Sequence, residues 1–415
     1  MKISKFNYEL QHQSKYYVYN TLTDAIFSLR QPLTTETLNM FSEDEQKTML
    51  AHGLLVDEFD ENLVADSLLK QTQRDLYFSF INHVVIAPTL LCNARCFYCY
   101  EEGVSQMTMS SEIINQTIDF IKRNTGSNKS LKISWFGGEP TLALDAVRQI
   151  SNALINEHYE IRASMITNGS KLTTDTVQTL KACYINHIQL SIDGFADIYT
   201  QRKNYVDGTT FDDIIHGIKN CLNSGISVSL RLNIDRSNLN SIYKLIEHIT
   251  THCHSPLLKA YPAPLFGKNV GEKLYQDVFE TNSIIVDMLT YLDERNLLDE
   301  KCKLTSGILK MPCMAHKTST IVIDACGDLY KCEHDVGKHE LSIGSVFQKD
   351  FPNQNSTTDC IIPLKTKFNR CYECEVLPKC MGGCDAVRRD GELPCGMIKQ
   401  IVEYYILQHI NNDEA

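Results

Sequence analysis

From about residue 83 the sequence alternates short apolar, β-branched runs with longer amphipathic stretches, and it does so six times. HVVIAPTL, LKISWFGG, RASMITNG, HIQLSIDG, SVSLRLNID and LLKAYPAPL read as strands. SEIINQTIDFIKRN, ALDAVRQISNALINEHY and FDDIIHGIKNCLNSG, among the stretches between them, read as helices. Strand and helix units in series require a parallel sheet with right-handed crossovers. Six units fall short of the eight that close a barrel, so the expected class is α/β, an open or partial (β/α)6 barrel of the TIM type. The strand C-termini of such a sheet gather on one side, where functional groups collect. Cys92, Gly137 to Glu139, Thr167 to Gly169 and Ser191 to Asp193 all fall at these ends.

The flanks read differently. KYYVYNTLTDAIFSL predicts a hairpin turning at NTLTD, TTETLNMF and SEDEQKTMLAHGLL predict short helices, and acidic VDEFDEN reads as an exit linker. After a helical stretch ending near residue 300, cysteines and Gly-rich turns take over; such a segment buries too little apolar surface alone, and metal would supply the missing stabilisation. For a chain of 415 residues this predicts an N-terminal α+β unit at 1–75, a barrel at 80–297 and a cysteine-rich domain at 298–415. A net charge of −11 without a basic stripe argues against a nucleic-acid partner. No apolar run approaches a membrane span and the first residues lack a signal-peptide core, so the expectation is a cytoplasmic protein with no membrane partner.

In a chain without an export signal, closely spaced cysteines favour metal over disulfides. Sixteen cysteines are present, and nine of them lie between positions 313 and 395. A second group, Cys92, Cys96 and Cys99 in LCNARCFYCY, is spaced C-x3-C-x2-C, one thiolate short of a closed sulfur site. Three such thiolates hold three corners of an iron-sulfur cube and leave one iron open; a zinc site or a redox loop is the alternative. Cys183, Cys221 and Cys253 stand singly and read as packing residues.

This cysteine motif, directly after the first strand and with an aromatic residue before its last member, resembles the signature of the radical S-adenosylmethionine (radical SAM) superfamily. The resemblance implies a 4Fe-4S cluster on Cys92, Cys96 and Cys99 whose open iron chelates the methionine part of S-adenosyl-L-methionine, and cleavage of that cosubstrate to a 5′-deoxyadenosyl radical. It further implies that Gly137, Gly138 and Glu139 of GGEP receive the amino group, with Glu139 accepting from the ammonium. Asn168 of TNG and Ser191 and Asp193 of SIDG would reach the ribose and carboxylate, and Tyr98 would lie near the adenine. Arg202 and Arg231 are candidates for the carboxylate, with a salt bridge within the protein as the alternative for Arg231.

The C-terminal pattern of Cys313, Gly327, Cys332, Cys371, Cys374, Cys380, Cys384 and Cys395 resembles the SPASM domain of radical enzymes acting on peptides and proteins. By that resemblance Cys371, Cys374, Cys380 and Cys395 would hold an outer auxiliary 4Fe-4S cluster, and Cys313, Cys332 and Cys384 an inner one, making three clusters in all. Cys302 would complete the inner site, or its iron would stay open; Cys326 and Cys360 are left as packing residues. A zinc ribbon is the alternative. The N-terminal unit resembles the winged-helix peptide-recognition element that binds a precursor's leader by strand addition, a shielding cap being the alternative.

The expected activity is that of a peptide maturase: hydrogen abstraction from a ribosomally made precursor peptide, followed by an oxidative crosslink through C–C, C–O or thioether bonds. The alternative is formylglycine formation on a sulfatase. Those maturases use an Asp after the inner-cluster cysteine as base, whereas Glu333 follows Cys332 here and is the candidate base. A reductase such as flavodoxin or ferredoxin would supply electrons. A metal-dependent scaffold that binds a partner, or a redox sensor, is the reading from another class.

Overall fold

In the computed structural model the tyrosine-rich run near the N-terminus is the hairpin its alternation predicts. The structure describes residues 1–57, 60–65, 67, 80–265, 282–304, 313–349, 369–383 and 397–413. It divides into two compact units, one of residues 1–77, 301–317 and 361–415, the other of residues 78–300 and 318–360. Both units are discontinuous in sequence.

In the first unit, β1 (Lys2–Ile3) pairs with β5 (Leu55–Val56), and β2 (Asn7–His12), β3 (Lys15–Asn20) and β4 (Ile26–Leu29) form an antiparallel meander. The helix Glu43–Ala51 starts at a capping box in which Ser42 and Glu45 satisfy each other's backbone. Strand β3 is covered on both faces. Val18 packs with Leu29, Leu33, Phe41, Met49, Leu54 and Leu55, while Tyr17 and Tyr19 pack against Val402, Ile406 and Ile410 of the C-terminal helix Ile398–Asp413. Cys374 and Cys380 border that second cluster, and between them Lys379 Nζ meets Asp24 Oδ1 at 2.5 Å.

The second unit carries the sheet. Strands β6 (His83–Ile86), β7 (Ser130–Trp135), β8 (Glu160–Thr167), β9 (Ile185–Ile192), β10 (Ser227–Ile234) and β11 (Leu258–Pro264) run parallel in sequential order, the partial barrel expected. Period two is clear in β8, where Ile161, Ala163, Met165 and Thr167 are buried and the residues between them are not. The helices face the sheet through apolar stripes. Ser110 caps Ser111–Asn124, which buries Ile114, Ile118 and Ile121, and a Thr210–Asp213 capping box opens Phe211–Asn223, which buries Ile214, Ile218 and Cys221. Cys183 and Cys253 are buried as well.

The sheet does not end at β6. Strand β12 (Thr320–Ile323) pairs parallel with β6, and β13 (Asp328–Tyr330) and β14 (Gly344–Ser345) continue antiparallel, giving a sheet of nine strands among the described residues. This segment lies within the 298–415 stretch that the sequence assigns to the cysteine-rich domain, and it is compact with the barrel. Among the described residues no helix is long and apolar enough to cross a membrane.

Candidate functional site

The cysteine loop leaves the C-terminal end of β6 and is fixed by backbone bonds before any side chain is considered. Arg95 N–H donates to the carbonyls of Lys203 and Asn204 at 2.9 and 3.0 Å, and Val206 N–H donates to that of Asn93 at 2.9 Å. Asn93, buried, donates to Ser170 Oγ and Asp207 Oδ2 and accepts from Asn168 Nδ2 at 2.9 Å. The same Asn168 amide lies 3.8 Å from Cys92 Sγ. Cys92 also accepts from Ala94 N–H at 3.4 Å, and Cys99 accepts from the backbone of Glu101. An N–H···S bond from two residues ahead favours a thiolate, so these thiols are arranged for soft-metal ligation. Burial opposes this and pushes the Cys92 thiol up to about 12, with its neighbours Cys96 and Cys99 adding to the rise. An iron-sulfur cluster removes that penalty by coordinating the thiolates, and the three residues fit one.

GGEP follows β7. Its glycines are required by the chain's own backbone: a Cβ on Gly138 would sit 2.3 Å from the carbonyl oxygen of Leu91, and one on Gly137 would sit 2.5 Å from that of Thr89. Glu139 N–H donates to the Leu91 carbonyl at 2.7 Å. The Glu139 side chain is fully buried and accepts four hydrogen bonds: from Thr141 N–H at 3.1 Å, Thr141 Oγ1 at 2.5 Å, Thr167 Oγ1 at 2.7 Å and Asn168 N–H at 2.7 Å. Burial raises its pKa and these four donors pull it back. Four donors match a carboxylate's capacity. The side chain therefore clasps the ends of β7 and β8, a different use from the ammonium acceptor that the motif suggests.

Asp193, at the end of β9, is the second hub and is also fully buried. Tyr98 OH donates to it at 2.5 Å and Asn233 Nδ2 at 2.9 Å, and Lys203 Nζ and Arg202 Nε each lie 3.8 Å away. Burial and the Asp193 carboxylate hold the Tyr98 phenol protonated far above its ordinary range. Arg202 donates to Asp235 at 2.6 Å and stacks over Phe97 with 5.0 Å to the ring centroid. Its charge is committed to two protein carboxylates. Ser191 accepts from Lys203 Nζ at 2.9 Å. Burial disfavours the Lys203 ammonium, but Asp193 and Cys96 more than offset that, so it stays charged.

A third group lies against the loop. Tyr100 stacks on His334 at 4.4 Å between centroids. Burial raises the pKa of Glu333, with Arg231 pulling it back, and burial together with Glu333 pushes Glu101 up to about 7. Arg231 Nε and Glu101 Oε1 are buried without a hydrogen-bond partner. The structure thus brings Arg231 and Glu333 together beside the cysteine loop.

Of the remaining cysteines, Cys313 accepts from Ala315 N–H at 3.4 Å, the contact seen at Cys92. Cys302, Cys371, Cys374 and Cys380 belong with Cys313 to the first unit and Cys332 to the second. Cys384, Cys395 and the spare Cys360 lie outside the described residues. Cys326, in the turn between β12 and β13, is half-buried. The sequence reading missed Lys203, Asn233, Asn93 and Glu101. Asn233 carried a usable signal, since it sits at the end of β10 two residues after Arg231. Lys203 carried none.

Residues 86–249, which lie within the partial barrel, match the family model described as the Radical SAM superfamily. A protein named probable GTP 3',8-cyclase from Saccharolobus islandicus (strain M.14.25 / Kamchatka #1) is 32% identical over 166 residues, 39% of this chain and 51% of that protein. The Fe-coproporphyrin III synthase of Methanosarcina barkeri (strain Fusaro / DSM 804) is 28% identical over 159 residues, 38% of each chain. The chain therefore spans about half or less of these curated relatives. Among solved structures, anSMEcpe with bound AdoMet aligns with TM-score 0.62 and 18% identity over 79% of this chain and 98% of that one. Streptococcus suis SuiB bound to S-adenosylmethionine aligns with TM-score 0.55 and 17% identity over 96% and 100%. At these identities they show a shared fold.

Proposed function

We propose that this protein is a radical SAM enzyme that oxidatively modifies a peptide or protein side chain, with a crosslink in a ribosomal precursor as the leading product. The observation that carries the reading is the cysteine loop itself: three thiols at the mouth of a partial barrel, two of them provided with N–H···S donors and the loop tied to three strand ends by Asn93, Asn168 and Glu139. When bound there, a 4Fe-4S cluster and S-adenosyl-L-methionine supply a primary-carbon radical able to take hydrogen from unactivated carbon. The chain's own residues then have to bind, orient and exclude. Cys92, Cys96 and Cys99 hold the cluster; the 137–139 backbone, Asn168 and Ser191 border the cosubstrate; Tyr98, Asp193, Arg202 and Asn233 keep the floor of the site rigid. Arg231 and Glu333 would face the substrate: after one hydrogen atom has left it, Glu333 would accept the second hydrogen as a proton, and the remaining electron would leave to an iron-sulfur acceptor held by the C-terminal cysteines.

The peptide assignment is supported by fold likeness to two proteins crystallised with peptides, anSMEcpe with Cp18Cys peptide and SuiB with the precursor peptide SuiA. It extends to the flanks: Cys371, Cys374, Cys380 and Cys395 for an outer auxiliary cluster, Cys313, Cys332 and Cys384 with Cys302 for an inner one, and the meander of the first unit for a leader strand at its edge. A flavodoxin or ferredoxin in the cytoplasm is the proposed electron source. The curated relatives favour a second reading, a small-molecule substrate, because their names specify a nucleotide and a porphyrin.

The deciding experiment is anaerobic co-expression with a short peptide encoded beside this chain, followed by intact mass. Loss of two hydrogens with the wild type, absent in a Cys92→Ala, Cys96→Ala, Cys99→Ala variant, is the expected result. An unchanged peptide beside active S-adenosylmethionine cleavage would retire the crosslinking reading and leave the sulfatase-type and small-molecule ones.

A further inference from the structure

The helix Ala196–Lys203 ends against the cysteine loop and touches it in a way that none of the sequence motifs announces. Its backbone forms half of a clamp. The Lys203 carbonyl accepts from Arg95 N–H at 2.9 Å and lies 3.9 Å from Cys96 Sγ, Ala94 bridges Tyr205, and Val206 N–H reaches the Asn93 carbonyl. Asn204, left-handed at φ 48°, turns the chain from helix into clamp, a conformation that asparagine tolerates better than most residues.

The Lys203 side chain then runs inward. It is 3% exposed, with Nζ 2.9 Å from Ser191 Oγ, 3.8 Å from Asp193 Oδ1 and 5.4 Å from the Tyr98 ring centroid. A buried ammonium is costly unless it serves a paired charge, and Asp193 is shared with Tyr98, Asn233 and Arg202. Arg202 and Lys203 face Asp193 and Asp235, two cations to two carboxylates, and the Lys203 ammonium lies against the ring of Tyr98, between Cys96 and Cys99 in sequence, while its carbonyl holds Arg95 N–H, so one residue both anchors the loop and places a fixed positive charge beside it. Reduction of an iron-sulfur cluster adds one negative charge in a medium of low dielectric constant, and a fixed positive charge beside it favours the reduced state.

We propose that Lys203 is a positioning residue of the iron-sulfur site: its carbonyl fixes the Cys96 side of the loop, and its buried ammonium raises the reduction potential of the cluster. The inference rests on the reading that Cys92, Cys96 and Cys99 hold that cluster. The test is a mediator-assisted redox titration of the reconstituted full chain, with iron and sulfide counted and the electron paramagnetic resonance signal that responds to S-adenosylmethionine followed. Lys203→Met keeps the apolar stem and removes the charge. It is expected to retain its iron and to show a reduced-to-oxidised ratio about tenfold lower at the wild-type midpoint, about 59 mV for one electron. Lys203→Arg should return toward the wild-type value, and Asp193→Asn should shift the opposite way. A loaded Lys203→Met protein titrating like the wild type overturns the inference. If that variant loses its cluster, Lys203→Gln decides: a loaded Lys203→Gln protein with the wild-type potential overturns the inference, and a lowered potential supports it. Wild-type protein that takes up no iron overturns the cluster reading itself and the inference with it, a result visible before any variant is made.

Discussion

Replacing Gly138 with alanine tests whether GGEP serves the cysteine loop through backbone contact. The added Cβ would lie 2.3 Å from the carbonyl oxygen of Leu91, 2.6 Å from its carbon and 2.8 Å from the carbonyl carbon of Leu90, all main-chain atoms. Cβ contacts under 3.0 Å are essentially never seen, so one backbone must retreat by about 0.7 Å at the least. The Glu139 side chain is held by four hydrogen bonds to Thr141, Thr167 and Asn168, whereas its N–H bonds to Leu91 itself, so the 90–91 side is the part that yields and that 2.7 Å bond is strained with it. Leu91 precedes Cys92, so the first of the proposed cluster ligands moves with it. Overpacking of this kind costs about 1–3 kcal/mol, or roughly 2–12 °C in Tm for a unit of this size. Misplacement approaching an ångström at a reacting centre costs about a hundredfold in rate. The assay is iron content, Tm and S-adenosylmethionine cleavage, with Gly208→Ala as control, where nothing lies within 4 Å and only the strain of φ +79° applies, about 1 kcal/mol. Gly138→Ala protein with full iron and wild-type cleavage would refute the reasoning.

Tyr98→Phe removes a 2.5 Å donor from the fully buried Asp193 and should cost about 1.5–3 kcal/mol in chemical denaturation; Trp135, the sole tryptophan and buried in β7, reports on this unit, and an unchanged midpoint would contradict the hub role. For Asp207, burial alone would raise the pKa, but Lys171, Asn93 and Thr209 together hold the carboxyl well below its ordinary range. Its contribution is therefore present above the unfolded value of about 3.9 and is lost as pH falls through the folded value. The stability gap between wild type and Asp207→Asn should be full at about pH 6 and shrink below about pH 4; a gap constant to about pH 3 would count against it. Ile406→Ala, truncating a fully buried side chain packed on Tyr17 and Tyr19, should cost about 2–5 kcal/mol and expose the Asn20–Asp24 turn to protease, whereas unaltered protection would show that the hairpin stands without the C-terminal helix.

The strand ends were legible because each carries a short-range signal: a run of period two that stops at Gly, Asn or Cys. The partners of those ends were harder to read. Arg202 and Lys203 are adjacent in one helix and look alike in sequence, yet one caps Asp235 and Phe97 while the other enters the site. What separates them is the 100° turn per residue and the position of Asp193, a contact ten residues back that no local pattern encodes. Glu139 shows the converse. The motif identified it, but the pattern implied a ligand contact, and the carboxylate is filled by Thr141, Thr167 and Asn168, of which the last two become visible as donors only once β7 and β8 lie side by side.

The discontinuous units follow from strands that are apolar on both faces. Val84, Val85 and Ile86 of β6 are all fully buried, so the strand cannot stand at a bare edge of the sheet; Thr320–Ile323, equally buried, covers it although more than two hundred residues separate them. The run TIVI was readable as a strand, but its place was not, because period two identifies faces and leaves the neighbour unspecified. The same holds for β3. Tyr17 and Tyr19 point one way and Val18 the other, and all three are buried, so two layers are needed where residues 1–57 supply one. The second layer is the helix Ile398–Asp413, and the two ends of the chain are thereby obliged to fold together. A fragment ending at residue 75 would leave the Tyr17 and Tyr19 face open to water, and such a contiguous aromatic patch promotes association rather than a stable isolated module.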